Sequence, residues 1–277
     1  MFDAMVFAGG GNRCYWQGGF VEALRQEADL APRLVVGASA GAFAASYSLL
    51  GVGAEVRAAV IGACETATRN FDWRAMIDGR PAFPVAGLYR QLMAETLTEA
   101  RFAALAALTD LRIAVARPPA WLPLSLAITL GIGLYQVEKQ LFAPVHPKGG
   151  RRLGFAPHFA AIRGMSGAGE MIEALMASAS VPPIMPVGTV DGAPALDGGL
   201  VDNVPVDPVV DIERAGGRSL VLLTRPYRQV PTVAGRVYVQ PSQRIPVGQF
   251  ELTNPGGIRA AYELGLKDGG AFARLSR

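Results

Sequence analysis

Histidine and cysteine are scarce in this 277-residue chain, which has two of each. Cys14 and Cys64 cannot build a disulfide framework, and no paired Cys/His spacing suggests zinc. The sequence therefore predicts no metal and no cofactor, and points to a reducing compartment, the cytoplasm. Charge is sparse as well. Only 18% of residues are charged and 51% are hydrophobic, against roughly 25% charged in an ordinary soluble domain, which excludes a disordered chain. A net charge of +3, with no run of Lys or Arg beside aromatics, argues against a nucleic-acid partner. The N-terminus lacks the basic, apolar and small-residue regions of a secretory leader.

What is present is an alternation of short apolar runs and helical patterns, the mark of an α/β protein, expected here with a mainly parallel central sheet. Strands are expected at residues 4–8, 34–36, 111–116, 219–224 and 236–239. Helices are expected at 15–27, from the turn at 37–41 to Leu50, and at 55–68, 87–95, 98–108, 169–178 and 258–266. With no repeat and no linker-like stretch, residues 1–277 read as one domain with a hydrophobic inserted segment at about 118–137. Those twenty residues carry no charge, a length that could span a bilayer. Pro118, Pro119 and Pro123 crowd its start and Gly131 and Gly133 its end, so it is expected to be an interfacial or lid-like element. An ordinary core helix is the alternative. Residues 214–277 carry nine Arg and one Lys against Glu251, Glu263 and Asp268. That excess is either a surface for anionic lipid or a set of scattered solvated arginines.

Three short motifs could carry chemistry. Gly37-Ala38-Ser39-Ala40-Gly41 lies between an apolar strand and an Ala-rich helix, the context of a nucleophile elbow. There the Ser39 hydroxyl would stand at a helix N-terminus, where backbone N–H groups favour negative charge. An N-cap serine in a glycine-rich turn is the plainer alternative. His146 and His158, the only histidines, both precede the best acidic candidate, so a triad in the α/β-hydrolase order Ser, acid, His is not expected. A carboxylate could take the serine proton directly, and Leu196-Asp197-Gly198-Gly199 offers one on a tight turn. Asp191-Gly192 reads as a turn alone. Gly9-Gly10-Gly11-Asn12-Arg13 follows the first strand, where successive N–H groups could hold an oxyanion or a phosphate. A dinucleotide fingerprint fails at Cys14, although Asp29 lies at the spacing of a ribose acid.

In their order along the chain, glycine loop, elbow and Asp-Gly-Gly turn, the three motifs resemble the patatin-like phospholipase family, as do residues 177–183 (ASASVPP) and 197–205 (DGGLVDNVP). The resemblance covers 4–50 and 174–208 and takes in the final helix. It implies a three-layer α/β/α fold and hydrolysis of lipid acyl esters, phospholipid or lysophospholipid, through an acyl-enzyme. It further implies Ser39 as nucleophile, Asp197 as base, and Gly9, Gly10, Gly11 and Asn12 as the oxyanion loop, with Gly10 and Gly11 the leading donors. Arg13, Gly37, Gly41, Gly198 and Gly199 would support them. Cys14 stands where the family often has glycine, and a bulkier residue there would narrow or re-aim the loop. Residues 70–165 have no counterpart in the pattern. Acyl transfer with the same residues, or lipid binding with a dead site, are the alternative functions. The expected partners are a lipid ester and an anionic membrane met peripherally at its inner face; the oligomeric state is left open.

Overall fold

The computed structural model describes residues 2–67, 69–71, 83–141 and 144–275. Within them eight strands form one mixed sheet: β1 (Ala4–Phe7), β2 (Leu34–Ala38), β3 (Asp110–Arg117), β4 (Ala156–Ala161), β5 (Gly188–Val190), β6 (Ala193–Asp197), β7 (Ser219–Leu222) and β8 (Arg236–Val239). The order is β5-β6-β3-β2-β1-β7-β8, with β4 also on β3. Pairings among β3, β2, β1, β7 and β8 are parallel, whereas β4 and β6 meet β3 antiparallel and β5 meets β6 antiparallel. The centre is thus parallel, as expected, and one side is antiparallel. Three strands, β4 to β6, were not predicted: Pro157 and Pro194 interrupt runs only three to six residues long.

The longer helices are α1 (Tyr15–Glu27), α2 (Ala40–Leu50), α3 (Gly53–Thr66), α4 (Val85–Thr96), α5 (Glu99–Leu108), α6 (Leu124–Leu141), α7 (Ala168–Ser178) and α8 (Pro255–Leu275). The predicted end of the third helix at Thr68 lies outside the described residues. Side-chain alternation along the strands divides the molecule into layers. Met5, Phe7, Val35, Leu220 and Leu222 face a core shared with Trp16, Phe20, Phe43, Met171 and Tyr262 of the helices. Ala4, Val6, Val36, Val221 and Leu223 face the opposite side, which Val204, Val206 and Val209 cover. A third cluster joins Ala116, Leu196, Leu200 and Val201 to Ala127 and Phe155, with Ile128, Ile132 and Tyr135 packed on it. The result is a three-layer α/β/α sandwich.

The uncharged segment resolves into two parts. Its prolines precede a helix that runs on through Glu138 and Lys139 to Leu141. Only Ala127 and Gly131 of that helix are buried, so α6 is no ordinary core helix. Among the described residues no helix is long and apolar enough to cross a membrane.

The last helix is longer than predicted because its glycines are contact points. A methyl group on Gly265 would sit 2.1 Å from the Trp16 carbonyl oxygen, and one on Gly269 2.3 Å from that of Phe20. On the facing helix, a methyl on Gly19 would meet the Tyr262 carbonyl oxygen at 2.1 Å. The backbones of α1 and α8 therefore touch where glycine removes the side chain. We propose that residues 1–277 unfold as one unit through this contact. Gly265→Ala should force the helices apart and cost about 1–3 kcal/mol, read as a lower urea midpoint. Tryptophan fluorescence and circular dichroism should report the same midpoint; two separated transitions would contradict a single unit.

Candidate active site

Strand β3 sets the geometry. Its residues Arg112 to Ala114 pair with β4 on one edge and with β2 on the other, ending at Ala38 opposite Ala114. The next residues, Val115 and Ala116, pair with Asp197 and Leu196 of β6, while β4 still occupies the first edge. Strands β2 and β6 therefore lie on the same edge of β3 and run toward each other, so their last residues meet. Ser39, the residue after β2, and Asp197, the last of β6, bring their side chains together, close enough for the Ser39 hydroxyl to draw the Asp197 pKa down. Both are largely buried.

Ser39 sits at φ 54° and ψ −138°, in the half of backbone space that favours glycine. Such a residue costs about 1–3 kcal/mol and persists only when its surroundings hold it. Here Ser178 supplies the hold. Its hydroxyl accepts the Ser39 N–H at 2.8 Å and donates to the Ala114 carbonyl at 2.6 Å, tying the turn to β3. The flanking glycines are required by contact: a methyl on Gly37 would lie 2.4 Å from Ala42 Cα, and one on Gly41 2.4 Å from the Ala8 carbonyl oxygen. Gly198 is constrained in the same way, since a methyl there would lie 2.5 Å from the Ala114 carbonyl oxygen. The Gly199 N–H donates to Asp197 Oδ1 at 2.7 Å.

The glycine loop follows β1, at the same sheet end. The N–H groups of Gly9, Asn12 and Arg13 are taken up by the carbonyls of Asn203, Gln249 and Gly10. Those of Gly10 and Gly11 donate to no described residue. Two anchors set their direction, because N–H and C=O of a trans peptide point oppositely. The Gly9 carbonyl accepts from Asn203 Nδ2 at 2.9 Å and Thr224 Oγ1 at 2.7 Å. The Gly10 carbonyl accepts from the Arg13 backbone at 3.3 Å and from Arg13 Nε at 3.4 Å. Cys14 does not enter the loop: its thiol is buried and donates to the Ala8 carbonyl at 3.5 Å, and burial pushes its pKa up.

The histidines are engaged elsewhere. His146 joins Asp202 at 2.8 Å to the Tyr238 hydroxyl at 2.7 Å, and His158 meets Asp191 at 2.8 Å, at the exposed turn expected there. Among the described residues no group of three or more His, Cys, Asp or Glu side chains could hold a metal ion. The sequence motifs did not single out Ser178, Asn203 or Thr224. Ser178 and Asn203 lie inside the quoted stretches ASASVPP and DGGLVDNVP, whereas Thr224 follows β7 with no local signal.

A serine hydroxyl close to a carboxylate, with two N–H groups of the neighbouring loop that donate to no described residue, is an arrangement suited to acyl transfer. A profile of the patatin-like phospholipases matches residues 5–210, about three quarters of the chain. The protein belongs to that family, whose activity is the hydrolysis of lipid acyl esters. No individual curated protein matches it.

Burial pushes the Asp197 carboxyl up to about 6, against the downward pull of the bonds from Ser39 and Gly199. The unfolded value is near 3.8, so the folded state binds this proton more tightly. Its stabilising contribution is complete below about pH 4 and is lost as pH rises through about 6. Asp197→Asn should therefore be more stable than the parent at pH 8, by about 2–3 kcal/mol for two pKa units. The gap should close toward pH 4. Urea unfolding at both pH values checks this, and a gap independent of pH would contradict it.

Proposed function

We propose that the protein is a serine acyl hydrolase of lipid esters, phospholipid or lysophospholipid, in which Ser39 is the nucleophile and Asp197 its base. The juxtaposition of the two side chains, at the meeting of β2 and β6, carries this reading. Ser39 Oγ attacks the ester carbonyl carbon as its proton passes to the Asp197 carboxylate. The Gly10 and Gly11 N–H groups receive the oxyanion; Gly9 and Asn12 shape the loop without donating to it. Asp197 then returns the proton to the departing alkoxide, leaving Ser39 acylated. A water, deprotonated by Asp197, releases the fatty acid and restores the serine. A catalytically dead lipid-binding protein is less well supported, since Cys14 packs into the core rather than the oxyanion loop. An alcohol in place of water would give acyl transfer through the same residues.

Ser39→Ala should abolish turnover of a short-chain ester with the fold unchanged, and Asp197→Asn should lose most of it. His146→Ala and His158→Ala should stay active. Because the base must be ionised, the acid limb of kcat/KM should rise through about pH 6. A histidine variant as inactive as Ser39→Ala would replace the dyad by a triad.

Helix α6 suits a peripheral contact with an anionic membrane. One face packs on the third cluster through Ala127, Ile128, Gly131, Ile132 and Tyr135. The other exposes Leu126, Leu130, Leu134, Val137 and Leu141, spaced three or four residues apart, with Trp121 at the preceding turn 70% exposed. Exposed Lys148, Arg151 and Arg152 follow closely in sequence. Replacing Leu126, Leu130 and Leu134 by serine should weaken binding to anionic vesicles about tenfold or more. Turnover of a soluble short-chain ester should hold. Unchanged vesicle binding would rule out this face.

A further inference from the structure

Arg13, Lys139 and Arg225 converge on a small cleft whose walls include Tyr135, Asn203 and Thr224. The three cations come from separate segments: the turn after β1, the last turn of α6, and the residues after β7. Each is half-buried, and none pairs with a carboxylate of a described residue. Their partners are neutral. Arg13 Nε reaches the Gly10 carbonyl, Lys139 Nζ donates to Gln249 Oε1 at 3.0 Å, and the Arg225 guanidinium lies 4.5 Å from the Tyr227 ring centre. Burial first, and then the neighbouring positive charges, push the Lys139 pKa down. Burial does the same to Arg13, with Arg225 adding to it. Elsewhere the protein neutralises a comparable cation: Arg236 is paired with Glu213 at 2.6 Å. Three like charges held together without a counter-ion leave an uncompensated electrostatic cost that an anionic ligand would remove.

The cleft adjoins the reacting centre. Asn203 and Thr224, in its wall, bond the Gly9 carbonyl. A methyl on Gly9 would lie 3.2 Å from Ser39 Cβ. The cleft wall and the serine thus both contact Gly9. In a glycerophospholipid, a phosphate lies the length of a glycerol backbone from the ester carbonyl.

We propose that Arg13, Lys139 and Arg225 form the subsite for the phosphate of a net-anionic glycerophospholipid headgroup, which sets the ester at Ser39. The proposal rests on the serine hydrolase reading above. A choline ammonium would meet cations here and no carboxylate, so phosphatidylglycerol should be favoured over phosphatidylcholine. Arginine and lysine both serve as phosphate ligands, arginine through its fork and lysine as a point charge.

The test compares dihexanoyl phosphatidylglycerol, dihexanoyl phosphatidylcholine and uncharged dihexanoylglycerol, all below their micelle concentrations. The kcat/KM ratio of phosphatidylglycerol to dihexanoylglycerol should fall about tenfold in Lys139→Gln and again in Arg225→Gln. Lys139→Arg should retain most of it. Equal losses on both substrates, or no preference for phosphatidylglycerol over phosphatidylcholine in the parent, would overturn the proposal. A second measurement needs no turnover: glycerol 3-phosphate should raise the thermal midpoint of Ser39→Ala, and not that of Ser39→Ala with Lys139→Gln and Arg225→Gln. If inorganic phosphate raises it as much while the hydrolysis ratio ignores both cations, the cleft takes free phosphate and the headgroup assignment is wrong. Failure of the serine reading itself would show separately, as hydrolysis of dihexanoylglycerol that survives Ser39→Ala.

Discussion

Strand β3 carries two other strands end to end along a single edge, and the side chains at their junction are a serine and a carboxylate. Everything else at the site serves that junction. The parallel pairing of β2 with β3 stops at Ala38 and the antiparallel pairing of β6 begins at Asp197, one residue further along β3. Neither residue depends on a mobile loop for its position. Ser178, tied to the same stretch of β3, holds the backbone turn through the Ser39 N–H. On our proposal Asp197 is the base, and its fixed position compensates for the weakness of an aspartate while dehydration moves its pKa toward the working range.

The arrangement is maintained against local cost. Ser39 adopts a backbone conformation that glycine prefers, and an ionised Asp197 is kept in a dehydrated place. The surrounding layers offset both. Two apolar cores sandwich the strands that end at the site, and the glycine-mediated contact of α1 with α8 closes the helical face. The same sheet end gathers the glycine loop with Arg13 and Arg225, because β1 and β7 are parallel and deliver their following residues to one side, and the last turn of α6 adds Lys139. On our proposal, one end of the sheet therefore holds the ester, its developing negative charge and its headgroup, while α6 offers the apolar surface that meets lipid.

Much of this was legible in the sequence where the signal is local. The elbow at Gly37 to Gly41 reads directly from its glycines and its strand-to-helix context, and α1 was predicted with its observed ends. Asp197 stood out by its place on the tight Asp-Gly-Gly turn, with chain order arguing against a histidine base. What escaped depends on contacts distant in sequence. Strand β6 contains a proline and five residues, so nothing local marks it as the partner of β3. The final helix was expected to stop at Leu266, and its continuation through Gly269 to Leu275 is explained only when α1 is placed against it. Lys139 and Arg225 are ordinary surface charges in sequence and form a cluster only after folding. The inserted segment was expected to be interfacial or lid-like, and the apolar face that α6 leaves open accords with that, whereas the packing of its other face on the sheet had no local signal.

Covalent capture of the serine tests the central claim most directly. A fluorophosphonate should add to the intact protein once, on the peptide containing Ser39, and the labelling rate should rise with pH through about 6, the value of the Asp197 carboxyl. Asp197→Asn should label far more slowly, whereas the double variant His146→Ala with His158→Ala should label at the parent rate. An adduct on another residue, or labelling of Asp197→Asn at the parent rate, would contradict a serine activated by this carboxylate.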